Sequence, residues 1–278
     1  MPSLHALMWR SGIWAPGYRF APAWRIPGRS NAGILPLFSI SGCGHGGTTL
    51  LATILGAHPS AYLFDRETKW FLGLGPLALL RENKARRAMA ASNFPDETRV
   101  LIEKTPRHVF RIPYIRSLFP STRFVVMVRD PRDLVASISK RIGDWKGAMV
   151  RVSLDFVAIN RVKNDPDVLI IRYEDLVRDF EKTMAKVSAH LGIEFDQRMA
   201  NHSEFAPTWF NVENVEETDG AGKKAHVSRR AWQVQQPLFD GSGRYRKDLT
   251  PEQIADVESA FGALVQDFYP QVAAHGVV

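Results

Sequence analysis

The segment that most constrains this chain is Ser41-Gly42-Cys43-Gly44-His45-Gly46-Gly47-Thr48-Thr49-Leu50. It follows a short apolar run, Ile34 to Ile40, which reads as a buried strand of a parallel sheet. It opens into Thr48 to Ala57, which reads as a helix. The glycines let the backbone turn tightly and approach a ligand with no Cβ in the way. The first helical turn then points free N–H groups and the positive end of its dipole at that ligand. Thr48 and Thr49 add hydroxyl donors. Strand, glycine loop and helix together make a phosphate cradle.

The spacing from Gly42 through Gly47 to Thr49 also matches G-x-x-x-x-G-x-[ST], with Thr48 where the Walker lysine belongs. ATPases and GTPases use that lysine on the β- and γ-phosphates. Its absence points to a nucleotide with a shorter 5′ chain, and a P-loop kinase or NTPase stands as the alternative.

Downstream, apolar runs and helical segments alternate. Val100–Glu103, Arg123–Val128 and Val168–Ile171 read as strands. Helices are expected over His108–Phe119, from Pro131 to about Lys140, over Ser153–Lys163, from Phe180 to Leu191, and from Thr250 to about Phe268. This alternation predicts an α/β fold: a three-layer P-loop-type domain whose central, mostly parallel sheet is flanked by helices. The expected domain is 34–278, behind an irregular Trp-, Pro- and Arg-rich N-terminal arm, 1–33. The polar stretch 196–247 reads as a substrate or cofactor loop.

The 278 residues carry a formal charge of +7, which favours an anionic ligand or partner. The basic pairs Arg86-Arg87, Lys223-Lys224 and Arg229-Arg230 are short and scattered, so no nucleic-acid partner is expected. Cys43 is the single cysteine, which excludes an internal disulfide and favours a reducing, cytoplasmic setting. Its neighbours offer no base to activate a thiol, so it reads as a small loop residue. The eight histidines show no metal-ligand spacing, and no metal is expected. No apolar run approaches the roughly 20 residues of a transmembrane helix. Oligomeric state is unread.

Several segments resemble the PAPS-dependent sulfotransferases, which use 3′-phosphoadenosine 5′-phosphosulfate (PAPS) as donor and release 3′-phosphoadenosine 5′-phosphate (PAP). The loop His45-Gly46-Gly47-Thr48-Thr49 is similar to their Lys/Arg-Ser-Gly-Thr-Thr. Arg123 to Arg141 (RFVVMVRDPRDLVASISKR) is similar to their 3′-phosphate motif, with Arg129 at a strand end and Ser137 on the next helix. An arginine fork and a hydroxyl there can converge on one anion. Arg129 can instead pair with Asp133 or Asp130. Glu103-Lys104-Thr105-Pro106 resembles a segment of the heparan sulfate 3-O-sulfotransferases. Arg172-Tyr173-Glu174-Asp175-Leu176 resembles a common stretch of the superfamily. Gly241-Ser242-Gly243-Arg244-Tyr245 resembles its late loop over the 3′-phosphate.

The resemblance implies transfer of a sulfuryl group from PAPS to a hydroxyl acceptor by in-line displacement, with no metal. It assigns PAPS binding to Gly44, His45, Gly46, Gly47, Thr48, Thr49, Arg129, Ser137, Tyr173, Gly243, Arg244 and Tyr245. It places the base at Glu67, with Asp65 as competitor. Positive charge at the leaving oxygen falls to His45, as imidazolium or as a neutral donor, and to Lys104. The acceptor reads as a small molecule or glycan, and Trp145, Trp209, Phe210 and Trp232 are candidates to stack on a sugar. A PAP-binding protein without catalysis is the other alternative.

Overall fold

The computed structural model describes residues 34–73, 75–90, 94–205 and 236–273. The N-terminal arm, Trp209, Phe210, Trp232 and the basic pairs at 223–224 and 229–230 lie outside the described residues.

A five-stranded sheet forms the centre, in the order β2-β3-β1-β4-β5. The strands are β1 (Leu37–Gly42), β2 (Ala61–Leu63), β3 (Val100–Lys104), β4 (Arg123–Val128) and β5 (Val168–Arg172). Every pairing is parallel. Parallel strands covered by helices on both faces are apolar nearly throughout, and β1 and β3 are buried at every position. Two apolar clusters flank the sheet. One gathers Phe124, Phe156, Phe261 and Tyr269; the other gathers Ile40, Leu51, Ile102 and Met184.

The helices that bear on the site are α1 (Thr48–Gly56), α2 (Pro76–Met89), α3 (Ile112–Leu118), α4 (Pro131–Ile142), α5 (Trp145–Val162), α6 (Tyr173–Arg178), α7 (Phe180–Leu191) and α8 (Pro251–Val265). Helix α4 starts as its sequence dictates: Asp130 accepts from the Arg132 amide, and Pro131 occupies the first turn. Helix α8 carries a full capping box between Thr250 and Gln253.

The structure moves several expected boundaries. Strand β1 begins and ends later than expected, because Gly42 still pairs with Met127 of β4. Helix α5 begins eight residues before Ser153, where Asp144 caps it by accepting from Gly147 N. The segment after Pro106 splits into a 3-10 turn, Pro106–Arg111, and α3. The three-residue β2 and the largely exposed α2 had no clear apolar period to announce them.

The strand order places β1 between two neighbours whose connections leave in opposite directions. Such a switch point opens a crevice beyond the C-terminal strand ends. Gly42, Lys104, Arg129 and Tyr173 stand at or just past the ends of β1, β3, β4 and β5. Glu67 lies four residues past β2.

Candidate active site

The loop between β1 and α1 is held from below. Cys43 N donates to Met127 O at 3.0 Å and Gly46 N to Cys43 O at 3.0 Å. Gly47 has φ +88°, and a Cβ there would lie 2.8 Å from the Tyr173 ring. Glycine is therefore required by backbone and packing together. Helix α1 has no side-chain cap and no acidic residue in its first turn. Its leading amides are thus left to an external anion. Two further polar atoms, Ser41 Oγ and Arg129 Nε, are buried with no hydrogen-bond partner among the described residues. An uncapped helix start beside an unsatisfied guanidinium nitrogen fits a phosphorylated ligand.

His45 itself adopts φ +69°, rare for a residue with a side chain. Its Nδ1 meets Ser137 Oγ at 2.8 Å, and Arg141 Nη1 lies 3.2 Å from its Nε2. A guanidinium has no acceptor, so Nε2 must receive and Nδ1 must carry the proton to Ser137. The geometry selects the neutral-donor form of His45 and puts the cation on Arg141. Ser137 and Arg141 are one helical turn apart on α4, and that spacing was the overlooked signal.

Arg129 takes up the pairing role with Asp133 and reaches the glycine loop as well. Its Nη2 donates to Gly241 O at 2.6 Å and lies 3.7 Å from Asp133 Oδ2. Its Nη1 approaches His45 O at 3.4 Å. The guanidinium stacks on Tyr173 at 4.5 Å. Tyr173 Oη in turn donates to Phe239 O and accepts from Gly241 N. Asp133, buried on α4, accepts from Gly243 N at 2.8 Å and Tyr245 N at 3.0 Å. These contacts fold the late loop onto the arginine motif. Glu174 completes the arrangement by accepting from Asp130 N and Tyr269 Oη. Tyr245 is buried between Arg132 and Arg246, whereas Arg244 lies exposed over Phe239. The structure therefore brings Gly243 to the cluster through its amide and leaves the Arg244 side chain outside it.

Glu67 and Lys104 come together. Lys104 Nζ donates to Glu67 Oε1 at 3.2 Å; the lysine is buried and the glutamate 21% exposed. Asp65 is instead gripped by Arg66 through two hydrogen bonds on the surface. Asp65 and Arg66 thus neutralise each other at the surface. Trp145 is partly buried against the apolar core, so its ring is a packing group.

Helix α5 adds a contact that nothing in the sequence announced. Asp155 accepts from Gly44 N at 3.3 Å. Arg151 lies so close that a Cβ on Gly44 would be 2.9 Å from its Nη2. Burial drives the Asp155 carboxyl up to about 6 against the pull of Arg151, the Gly44 amide and Arg107. Burial, with the Asp155 charge adding to it, also raises the Cys43 thiol well above its usual range. Cys43 is thus an inert loop residue.

A family model described as "Sulfotransferase family" matches residues 75–197, and one described as "Sulfotransferase domain" matches 153–269. The glycine loop precedes both matches. Protein-tyrosine sulfotransferase A of Caenorhabditis elegans is 24% identical over 257 residues, 81% of this chain and 64% of that protein. Protein-tyrosine sulfotransferase 2 of Gallus gallus is 25% identical over 206 residues, 61% of this chain and 54% of that protein. The chain thus spans less than two thirds of the length of these relatives. The sulfotransferase domain of a Synechococcus olefin synthase superposes with a TM-score of 0.54 at 20% identity, covering 85% of this chain and 97% of that one. A mouse sulfotransferase complexed with PAP gives a TM-score of 0.54 at 17% identity, covering 87% of each. Together the two sulfotransferase models span residues 75–269, and with the shared fold and the ordered motifs they support placing the chain among the PAPS-dependent sulfotransferases.

Proposed function

We propose that this protein transfers a sulfuryl group from PAPS to a hydroxyl acceptor, with Glu67 as base. The observation that carries this reading is the convergence of Arg129, Ser137 and Arg141 on the glycine loop, one strand away from the Glu67–Lys104 pair. One group of residues suits a nucleotide with two separate phosphates, and the other suits proton removal.

Bound PAPS supplies the activated sulfuryl group and a phosphate leaving group. The α1 amides, Thr48 and Thr49 hold the 5′ phosphate, and Arg129 with Ser137 holds the 3′ phosphate. Lys104 holds Oε1 of Glu67, and the Glu67 carboxylate accepts the acceptor proton. Lys104 and Arg141 supply positive charge where negative charge builds on the leaving oxygen, and His45 orients Ser137 through its Nδ1–H. The protein's share is orientation and electrostatics, with no covalent enzyme intermediate.

Two acceptor classes divide the supporting observations. The Glu103–Lys104–Thr105–Pro106 segment favours a carbohydrate hydroxyl. The protein-tyrosine sulfotransferases among the relatives favour a tyrosine hydroxyl. Radiolabelled PAPS, offered with a desulfated heparan oligosaccharide or a tyrosine-containing acidic peptide, separates them. Label in one acceptor and its loss in Glu67→Gln is the expected result. Transfer to neither, with PAP still bound, favours a nucleotide-binding protein without catalysis. Magnesium-dependent ATP turnover favours the P-loop kinase reading.

A further inference from the structure

Glu103 stands behind the proposed base. It lies wholly buried in β3, and a carboxylate there is tolerated only when its oxygens are filled. They are filled. Thr68 Oγ1 donates to Oε1 at 2.8 Å and Thr105 Oγ1 at 2.5 Å. His108 Nδ1 lies 2.8 Å from Oε2, and Ser39 Oγ reaches it at 3.5 Å. Burial works against the charge, but His108 and the hydroxyl donors outweigh it and hold the carboxyl below its usual range.

Two of these donors govern the loop that carries Glu67. Thr68 is the next residue in the chain, and its Oγ1 also receives Trp70 N at 3.5 Å. Thr105 Oγ1 accepts from Lys69 N at 3.2 Å. Lys69 sits at φ +54°, a conformation that a side-chain-bearing residue keeps only when its surroundings enforce it. On the other side Lys104, the neighbour of Glu103, holds the Glu67 carboxylate. Backbone and carboxylate of the base are therefore both tied to the end of β3.

We propose that Glu103 is a positioning residue which, through Thr68 and Thr105, fixes where the Glu67 carboxylate meets the acceptor hydroxyl. This rests on Glu67 being the base. Ser39 supplies the contrast, since it bonds the same carboxylate from β1 and touches nothing in the loop's hydrogen bonding.

The test uses Thr68→Val, Thr68→Ser, Ser39→Ala and Glu67→Gln in the full chain. Radiolabelled PAPS and whichever of the two acceptor probes the wild type sulfates give kcat and KM; calorimetry gives PAP affinity, and thermal melting reports stability. Thr68→Val is expected to lower kcat roughly tenfold to a hundredfold, the scale of a misplaced catalytic group, while PAP affinity holds. Thr68→Ser restores kcat, and Ser39→Ala keeps it. Thr105→Val gives the same split and replaces Thr68→Val should that variant fail to fold. Unchanged kcat in Thr68→Val overturns the inference while Glu67→Gln remains inactive. Parallel loss of kcat, PAP affinity and melting temperature in Thr68→Val and Ser39→Ala also overturns it, as a purely structural network. Turnover surviving in Glu67→Gln removes the base itself, and the inference with it.

Discussion

At the scale of single residues, the departure at position 45 has a structural answer. Where the resemblance calls for a cation in the loop, Arg141 of α4 donates to His45 Nε2, and His45 Nδ1 faces Ser137 Oγ; on the proposed reading Arg141 supplies the missing charge. Arg141→Ala is expected to weaken PAP binding roughly tenfold or more, the worth of one charge-assisted hydrogen bond. Calorimetry reads it, and unchanged affinity would remove Arg141 from the site. Asp155 makes a second prediction. Its carboxyl titrates near 6 in the folded chain against an ordinary 3.8. A raised acid contributes stability that is fully present below the unfolded value and lost as pH rises through the folded one. The difference of about two units corresponds to about 3 kcal/mol lost between roughly pH 4 and pH 6. Asp155→Asn keeps an acceptor for Gly44 N, so it is expected to melt higher at pH 7 and to flatten that window. A lower melting temperature at pH 7 would contradict the burial cost. Glu67, Lys104, Arg129 and Ser137 were legible because short motifs carry them. Asp155 was not, because it meets Gly44 across 111 residues of chain, and no local period encodes such a contact.

At the scale of elements, the site is a set of strand ends joined by one helix. Arg129, Asp133, Ser137 and Arg141 recur every four residues, so one stripe running from the end of β4 along α4 faces the loops. Asp133 uses that stripe to clamp the late loop through two backbone amides. Asp133→Ala leaves those donors without their acceptor. It is expected to cost about 1–3 kcal/mol and to open residues 240–245 to protease. Wild-type melting and protection would show that the clamp is dispensable. The strands that flank the loop were readable from their apolar runs. The short edge strand β2 was not, since three residues carry too little pattern. Helix α2 escaped for a different reason: its buried positions include Glu82, which pairs with Arg86, so its inner face does not read as apolar.

At the scale of the whole molecule, a parallel sheet with β1 at its centre gathers four strand ends into one crevice. The sequence showed the alternation that yields such a sheet, but strand order needed the registers, because parallel crossovers leave no mark on local composition. The net positive charge of +7 supports anion binding in general and does not select the anion. On the proposed reading, selection lies in two phosphate positions, one at α1 and one at Arg129 and Ser137. The direct measurement is calorimetric binding of PAP beside AMP, ADP and ATP, on wild-type protein and on Arg129→Ala. PAP is expected to bind at least roughly tenfold more tightly than AMP, which lacks the 3′-phosphate, and Arg129→Ala should erase that margin. Equal affinity for PAP and AMP, or tighter binding of ATP with magnesium, would contradict a two-phosphate site and with it the sulfuryl-donor reading.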